Sequence, residues 1–228
     1  SGIGYMLQYG LGGVVLGLGI GRGWSPVKTV GGYTALFLAA FTALLLVMSL
    51  VEGLTPAELA QRELDGFAAQ LTQATRDLDS RGATATIKQW TGEIIGFIRY
   101  AFWGLLSAFG IFVGWTNAMM LKGMLKKRGI QTRRWIRWRA PDLWVWGLIG
   151  AGLLAVSGLP VAVQIGLNAL IVAVTVYFLQ GLAIMQFLFE VKSVPVFLRY
   201  VVYGILAFQP PLALIVAALG VFDLWLDF

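Results

Sequence analysis

The 228-residue sequence contains no cysteine and no histidine. Without cysteine there is no disulfide and no thiolate nucleophile, and without histidine there is no imidazole base and no histidine ligand for zinc or haem. The glycine-rich and lysine-containing phosphate-binding motifs G-x-G-x-x-G and G-x-x-x-x-G-K-[ST] are also missing. We therefore expect a protein that is not an enzyme, with no metal site and no cofactor.

Charged residues are scarce as well, at 12% of the chain against 58% hydrophobic residues. Soluble domains carry about 25% charged residues, so this chain has too few to cover a surface that faces water. The net charge of +6 does not indicate nucleic-acid binding, because most of the excess lies in one loop next to a predicted span. The expected partner is the lipid bilayer.

Charge-free stretches mark the predicted spans. They cover residues 1–21, 29–51, 100–121, 143–189 and 200–222, and a helix crosses the hydrocarbon core with ~20 apolar residues. The fourth stretch is long enough for two helices, with a break at Ser157–Pro160. We predict an all-α, polytopic transmembrane helical bundle that forms a single domain over 1–228. Its spans, about six in number, are predicted at 3–20, 30–51, 97–121, 142–157, 161–189 and 197–220.

Two of these spans have unusual sequences. The first is rich in glycine, and either the spacing of Gly13, Gly17 and Gly21 allows close helix packing or the segment is re-entrant. The last is interrupted by Gln209-Pro210-Pro211, which either kinks the helix or exposes backbone carbonyls.

Loop charges predict the orientation in the membrane. The loop 122–141 carries eight cations and is predicted to be cytoplasmic, whereas residues 52–93 carry seven acids against four bases and are predicted to lie outside. Both ends of the chain then lie outside, including Asp223 and Asp227. This pattern is typical of a multi-pass protein of a bacterial inner (plasma) membrane.

The extracytoplasmic segment 55–93 is predicted to be helical and amphipathic. Thr55-Pro56-Ala57-Glu58 has the pattern of a helix start with a capping box, and apolar residues recur at helical spacing over 56–78. Glu58 and Arg62 are spaced to form an i,i+4 ion pair. The helix either packs on the bundle and membrane surface or binds a partner.

Polar residues inside the spans are the candidates for a small-molecule site, because such residues usually face the bundle interior or a cavity. On the fifth predicted span, Gln164, Asn168 and Thr175 share a face and Gln180 lies beside it. They either make interhelical hydrogen bonds or line a ligand site. The predicted substrate-binding residues are Asn168, Gln164, Gln180, Asn117 and Gln209.

The basic loop mixes cations with tryptophan, a composition that suits the membrane interface. It is either an anchor among lipid headgroups or a docking surface for a cytoplasmic partner. The residues predicted to form it are Lys126, Lys127, Arg128, Arg133, Arg134, Arg137, Arg139, Trp135 and Trp138.

Several segments resemble the YybS-like family of bacterial membrane proteins, which is distantly similar to the substrate-binding S components of energy-coupling-factor transporters. The segments are Leu7–Gly13 with Gly23–Pro26, Trp135–Trp146, Asn168, Tyr177–Ala183 and Gly220–Phe228. The resemblance implies a multi-span inner-membrane protein, with further N-terminal spans outside this chain. It also implies a helical bundle that captures a ligand and works with partner subunits, although the glycine-rich first stretch does not match an S-component docking motif residue by residue. The alternative is a non-transporting scaffold or accessory subunit of a larger membrane complex.

Overall fold

The computed structural model describes residue 10 and residues 12–76, 84–127 and 139–226. Within these ranges the chain is helical, without strands, which confirms the predicted all-α class. The eight helices are α1 (Gly12–Gly21), α2 (Pro26–Glu52), α3 (Pro56–Arg76), α4 (Thr84–Lys127), α5 (Trp144–Ala155), α6 (Pro160–Val191), α7 (Val196–Phe208) and α8 (Pro210–Leu226).

Local sequence signals set the ends of α2. Ser25 is its N-cap, with a side-chain oxygen that accepts a hydrogen bond from the Lys28 N–H, and Pro26 occupies the first turn. Both choices satisfy or remove N–H groups that have no partner inside the helix. The helix ends at Gly53, whose φ of 68° is in the left-handed region that favours glycine.

The longest helices of the bundle, α4 and α6, pack side by side and run in the same direction. Tyr100 contacts Gln164 and Gly104 contacts Asn168, both at a separation of 64 positions. A constant separation along two helices means that they are parallel. Since they are parallel, the chain between them must return across the bundle, and α5 makes part of that return.

One core cluster joins α1, α2 and α4. Its buried members are Leu16, Ile20, Val30, Tyr33 and Ala118. Tyr33 fits between glycines of the neighbouring helices, because a side chain at Gly12 or Gly114 would overlap its ring. Small residues therefore allow this half of the bundle to pack closely without a hydrophobic driving force between helices.

The short helices α5 and α8 both pack on α6 and run antiparallel to it. Gly166 of α6 lies against Leu154 and Ala155 at the end of α5. Gly181 lies against the backbone of Val216, and Gly220 of α8 against that of Tyr177, so close that any β-carbon would overlap a carbonyl oxygen. The glycines thus fix two short helices along one long one.

The prediction of about six spans is not confirmed. Among the described residues, three helical segments are long and apolar enough to cross a bilayer: Pro26–Glu52, Gly92–Leu125 and Pro160–Val191. Helices α7 and α8 make a fourth if they count as one span, bent by 111°. The break lies at Gln209, as the prolines predict.

Helix length explains the difference from the sequence prediction. Helix α5 has 12 residues, about 18 Å, which is short of the ~30 Å hydrocarbon core. Helix α1 has 10 described residues. Of the predicted span 3–20, residues 3–9 and 11 lie outside the described ranges. A long charge-free stretch gives the apolar length of a segment but not whether one helix runs through it.

Exposed apolar side chains cover the outside of the long helices. On α2, for example, Leu50 is 83% exposed and Val51 80% exposed. Water-facing surfaces rarely show such contiguous apolar patches, whereas lipid covers them without cost. The exposed faces of the long helices therefore suit contact with lipid chains.

Candidate functional site

Asn168, one of the predicted site residues, joins α6 to α4. Its amide nitrogen donates to the carbonyl oxygens of Tyr100, at 3.0 Å, and of Gln164, at 2.7 Å. Its side-chain oxygen accepts a hydrogen bond of 2.5 Å from the N–H of Gly104. Tyr100 and Gly104 are four residues apart, so the amide meets both backbone groups of one turn of α4.

Glycine at position 104 makes this contact possible. A β-carbon there would lie 2.8 Å from both the Cα and the carbonyl oxygen of Asn168. Towards the start of α6 the same helix pair is held by the Tyr100 hydroxyl, which donates to the carbonyl of Pro160 at 2.6 Å. Gln164 adds only a long contact of 3.5 Å to the Tyr100 carbonyl.

A groove of about 780 Å³ opens beside this contact, between α4, α5 and α6. Its volume is in the range of small-molecule sites. Aromatic and small apolar residues make up most of its wall. The lining residues are Trp103, Gly104, Ser107, Pro141, Leu143, Trp144, Gly147, Leu148, Asn168, Ala169, Val172, Ala173, Val176 and Tyr177.

Two polar side chains of the groove, Ser107 and Asn168, have hydrogen-bond partners within the protein. The Ser107 hydroxyl donates to the carbonyl of Trp103 at 2.7 Å. Asn168 uses its nitrogen on two carbonyls and its oxygen on Gly104. The groove therefore presents mainly apolar and aromatic surface to a bound molecule.

A second polar cluster lies at one end of the groove and centres on Gln180 and Asp223, both buried. Gln180 donates to a carboxylate oxygen of Asp223 at 2.8 Å and accepts from the N–H of Ala140 at 3.1 Å. The Arg139 guanidinium lies 3.4 Å from the same carboxylate oxygen and donates to the main-chain carbonyl of Asp223 at 2.6 Å. Because that carbonyl is in the last turn of α8, Arg139 also caps the helix.

The Arg139–Asp223 pair corrects the orientation predicted from charge. The sequence places Arg139 in the cytoplasmic loop and Asp223 outside, but two groups 3.4 Å apart lie at the same depth. Helix α8 begins near the C-terminal end of α6 and runs antiparallel to it. Its own C-terminal end lies beside Tyr177 and Gln180. A terminal acid was therefore a poor guide to the side of the membrane.

The predicted site residues do not form one site. Asn168 lines the groove and Gln180 lies in the cluster beside it. Asn117 is 13 residues beyond Gly104 on α4, about 20 Å along the axis. Gln209 is exposed at the α7–α8 break, near the far end of α6.

Most of the predicted basic interface lies outside the residues that the structure describes. Residues 128–138 lie outside the described ranges, and so do the side chains of Lys126 and Lys127. Arg139 is described, and it pairs with Asp223.

Sequence reasoning missed the aromatic wall of the groove, formed by Trp103, Trp144 and Tyr177, and the role of Asp223. Aromatic residues in an apolar span carry no distinguishing signal. An acid at the end of an apolar helix does, since a charge near lipid usually has a partner.

Outside the apolar part of the bundle, α3 is held by surface contacts. Thr55 and Glu58 form the predicted reciprocal cap. The Thr55 N–H and hydroxyl both donate to the Glu58 carboxylate at 2.7 Å, and the Glu58 N–H donates to the Thr55 hydroxyl oxygen at 3.2 Å. The two hydrogen bonds to the carboxylate lower the pKa of Glu58, with the hydroxyl contributing most. Arg62 does not pair with Glu58 as predicted but with Glu52 and Glu63.

Long apolar helices, lipid-facing surfaces and polar contacts between helices define a polytopic α-helical membrane protein. Residues 1–224 match the family described as "Predicted membrane protein (DUF2232)", and the chain belongs to that family. This membership agrees with the resemblance to the YybS-like membrane proteins. No curated protein and no solved structure matches the chain.

Proposed function

We propose that this protein is a substrate-binding membrane subunit, similar to an S component, that takes up a small molecule together with partner subunits in a bacterial inner membrane. The groove between α4, α5 and α6 supports this proposal most directly. It is large enough for a small molecule and is bounded by two long parallel helices and one short one.

The protein would bind its substrate without chemical conversion. The sequence has no histidine, no cysteine and no phosphate-binding loop, and the described residues contain no group of acids that could hold a metal ion. Energy for uptake would therefore come from a partner subunit.

A pair of glycine substitutions on α5 tests the proposal. Gly147 lines the groove and has open space around it, so Gly147→Phe would place a ring in the groove. Gly152 is on the same helix, also has open space and does not line the groove. Purified wild-type protein should retain a small molecule that mass spectrometry detects after extraction. Gly147→Phe should lose it and Gly152→Phe should keep it.

The proposal fails if the three proteins, equally folded, carry the same extracted molecules or none. Gly147→Leu fills less of the groove and should give an intermediate loss. An equal loss in Gly152→Phe would mean that the substitution acts through α5 rather than through the groove.

A non-transporting scaffold is the alternative, and α3 favours it. Ion pairs fix this helix to the bundle, from Arg62 to Glu52 of α2 and from Arg99 of α4 to Asp65 at 2.9 Å. Its outer face remains exposed, including Phe67. A membrane complex that survives Gly147→Phe but is lost when the exposed face of α3 is replaced would support the scaffold.

A further inference from the structure

The depth of the groove indicates where its ligand comes from. The lining residues of α6 run from Asn168 to Tyr177, about 12 to 26 Å from the start of the helix at Pro160. Since α6 is one of the helices long and apolar enough to cross a bilayer, the groove lies alongside hydrocarbon for most of its length. A ligand reaches it most directly from the lipid phase.

The edges of the groove face outward and are apolar. Trp103 is 50% exposed, Leu143 79% and Trp144 40%. These side chains stand on α4 and on the first turn of α5, on either side of the opening. They form a continuous surface with the lipid-facing helices, without a polar barrier among the lining residues.

Few polar groups line the groove, which disfavours a strongly polar ligand. Ser107 and Asn168 are bonded within the protein, and a polar group that lost its water there would find few partners. Such a loss costs roughly 1–3 kcal/mol for each unpaired group. An apolar chain has no such cost and gains from contact with the aromatic wall.

The charges lie at one end only. Pro141 and Leu143 line the groove next to Asp142, which is exposed, and Arg139, whose side chain is 37% exposed. The surface thus changes from apolar to charged along the length of α5 and its preceding turn. This order matches a molecule with an apolar chain and a polar head.

We propose that the ligand of the groove is a single-chain amphiphile that enters sideways from the bilayer, with its chain between Trp103, Trp144 and Val172 and an uncharged polar head beside Asp142. The inference rests on the proposed function, because it assumes that the groove holds a ligand. It narrows the substrate of that function to single-chain amphiphiles. The groove lining extends over about 14 Å of α6.

The test uses 1-monopalmitoylglycerol with a diazirine in the middle of its acyl chain, added to the protein in lipid nanodiscs. After illumination, mass spectrometry should find the label on the groove segments of α4, α5 and α6, around Trp103, Leu148 and Val172. Gly147→Phe should lower this labelling several-fold, and Gly152→Phe should not change it. Unlabelled 1-monopalmitoylglycerol should compete, and added phosphatidylcholine should not.

Three results would overturn the inference. Labelling equal to that of the exposed lipid-facing end of α2 at Leu50 and Val51, and insensitive to Gly147→Phe, would mean ordinary lipid contact. Competition by phosphatidylcholine would assign the groove to a two-chain lipid. If Gly147→Phe loses a water-soluble molecule in the extraction experiment while groove labelling is absent, the proposed ligand class is wrong and the proposed function stands. If Gly147→Phe changes neither the extracted molecules nor the labelling, both the ligand class and the proposed function are wrong.

Discussion

Helix α6 makes two polar contacts that differ in charge and in what they connect. Asn168 is neutral, lies beside the open groove and meets two backbone groups that are already neighbours within one turn of α4. Gln180 is buried with an ion pair and connects α6 to α8 and to the segment before α5. The first contact adds hydrogen bonds to backbone groups of α4 that can also bond to each other within the helix. The second contact, together with the ion pair, joins three segments of the chain: α6, α8 and the segment before α5.

The comparison shows that a polar residue in a membrane span can use its hydrogen-bonding groups on nearby backbone and side chains of the protein itself. Both Asn168 and Gln180 were candidates for substrate binding, and both use their amide groups inside the protein. What distinguishes them is the space beside them. Only Asn168 borders the groove, so ligand binding and helix packing can meet at that residue alone of the two.

The largest effect is expected at the ion pair. Asp223→Asn removes the negative charge beside the Arg139 guanidinium, and Arg139→Gln removes the positive charge beside the Asp223 carboxylate. Breaking a buried pair costs about 3–5 kcal/mol, and the partial exposure of Arg139 reduces this to roughly 2 kcal/mol for either single change. Thermal unfolding in detergent micelles measures the loss.

The double variant Arg139→Gln with Asp223→Asn removes both charges and should be less destabilised than the sum of the two single changes. Asp142→Asn, an exposed acid near the same segment, is the control and should change stability little. Strict additivity of the two single changes would show that the pair does not act as a unit.

A smaller effect is expected at Asn168. In Asn168→Leu the Tyr100 carbonyl and the Gly104 N–H lose the amide, but they remain at i and i+4 in α4 and can bond to each other. The cost should be about 0.6 kcal/mol, the average of interhelical hydrogen bonds in membrane proteins. Thermal unfolding under the same conditions as for Asp223→Asn gives the direct comparison.

Asn168→Asp separates the two roles of the amide. Aspartate keeps an acceptor for Gly104 but has no donor for Tyr100, and it brings a charge to the wall of the groove. It should be less stable than Asn168→Leu. If Asn168→Leu instead proves as costly as Asp223→Asn, the distinction between the two contacts is wrong.

The sequence predicts the long helices well because their evidence is local. An uninterrupted apolar run of sufficient length specifies a membrane helix by itself, as for α2 and α6. The short helices are different. The end of α5 at Ala155 and the start of α8 at Pro210 depend on breaks within apolar stretches. A hydropathy pattern does not show such breaks and treats the residues on both sides as one helix.

The site was only partly predictable, for a related reason. Asn168 was identified because a polar group in an apolar run is conspicuous. Its partners are backbone groups of Tyr100 and Gly104, which have no sequence signature. The ion pair joins residues 84 positions apart, and the charge rule assigned its two members to opposite faces because that rule considers each loop separately.

The smallest effect is expected at a polar contact in water, which gives the reference for the two contacts on α6. The exposed cap of α3 depends on an ionised Glu58, whose pKa is lowered from 4.5 by the hydrogen bonds from Thr55. A lowered pKa in the folded state means that the cap contributes fully above about pH 4.5 and that its contribution is lost as the pH falls through the folded pKa.

Hydrogen exchange in the first turn of α3 should therefore speed up more on acidification in the wild-type protein than in Glu58→Gln. Glutamine can keep the capping geometry without a titrating group. Comparison of the two proteins at each pH cancels the intrinsic pH dependence of exchange, and identical profiles would show that the carboxylate does not hold the cap. Because the cap is exposed and local, neither change should shift global unfolding as Asn168→Leu does, which would place water-exposed, neutral intramembrane and charged buried contacts in increasing order of effect.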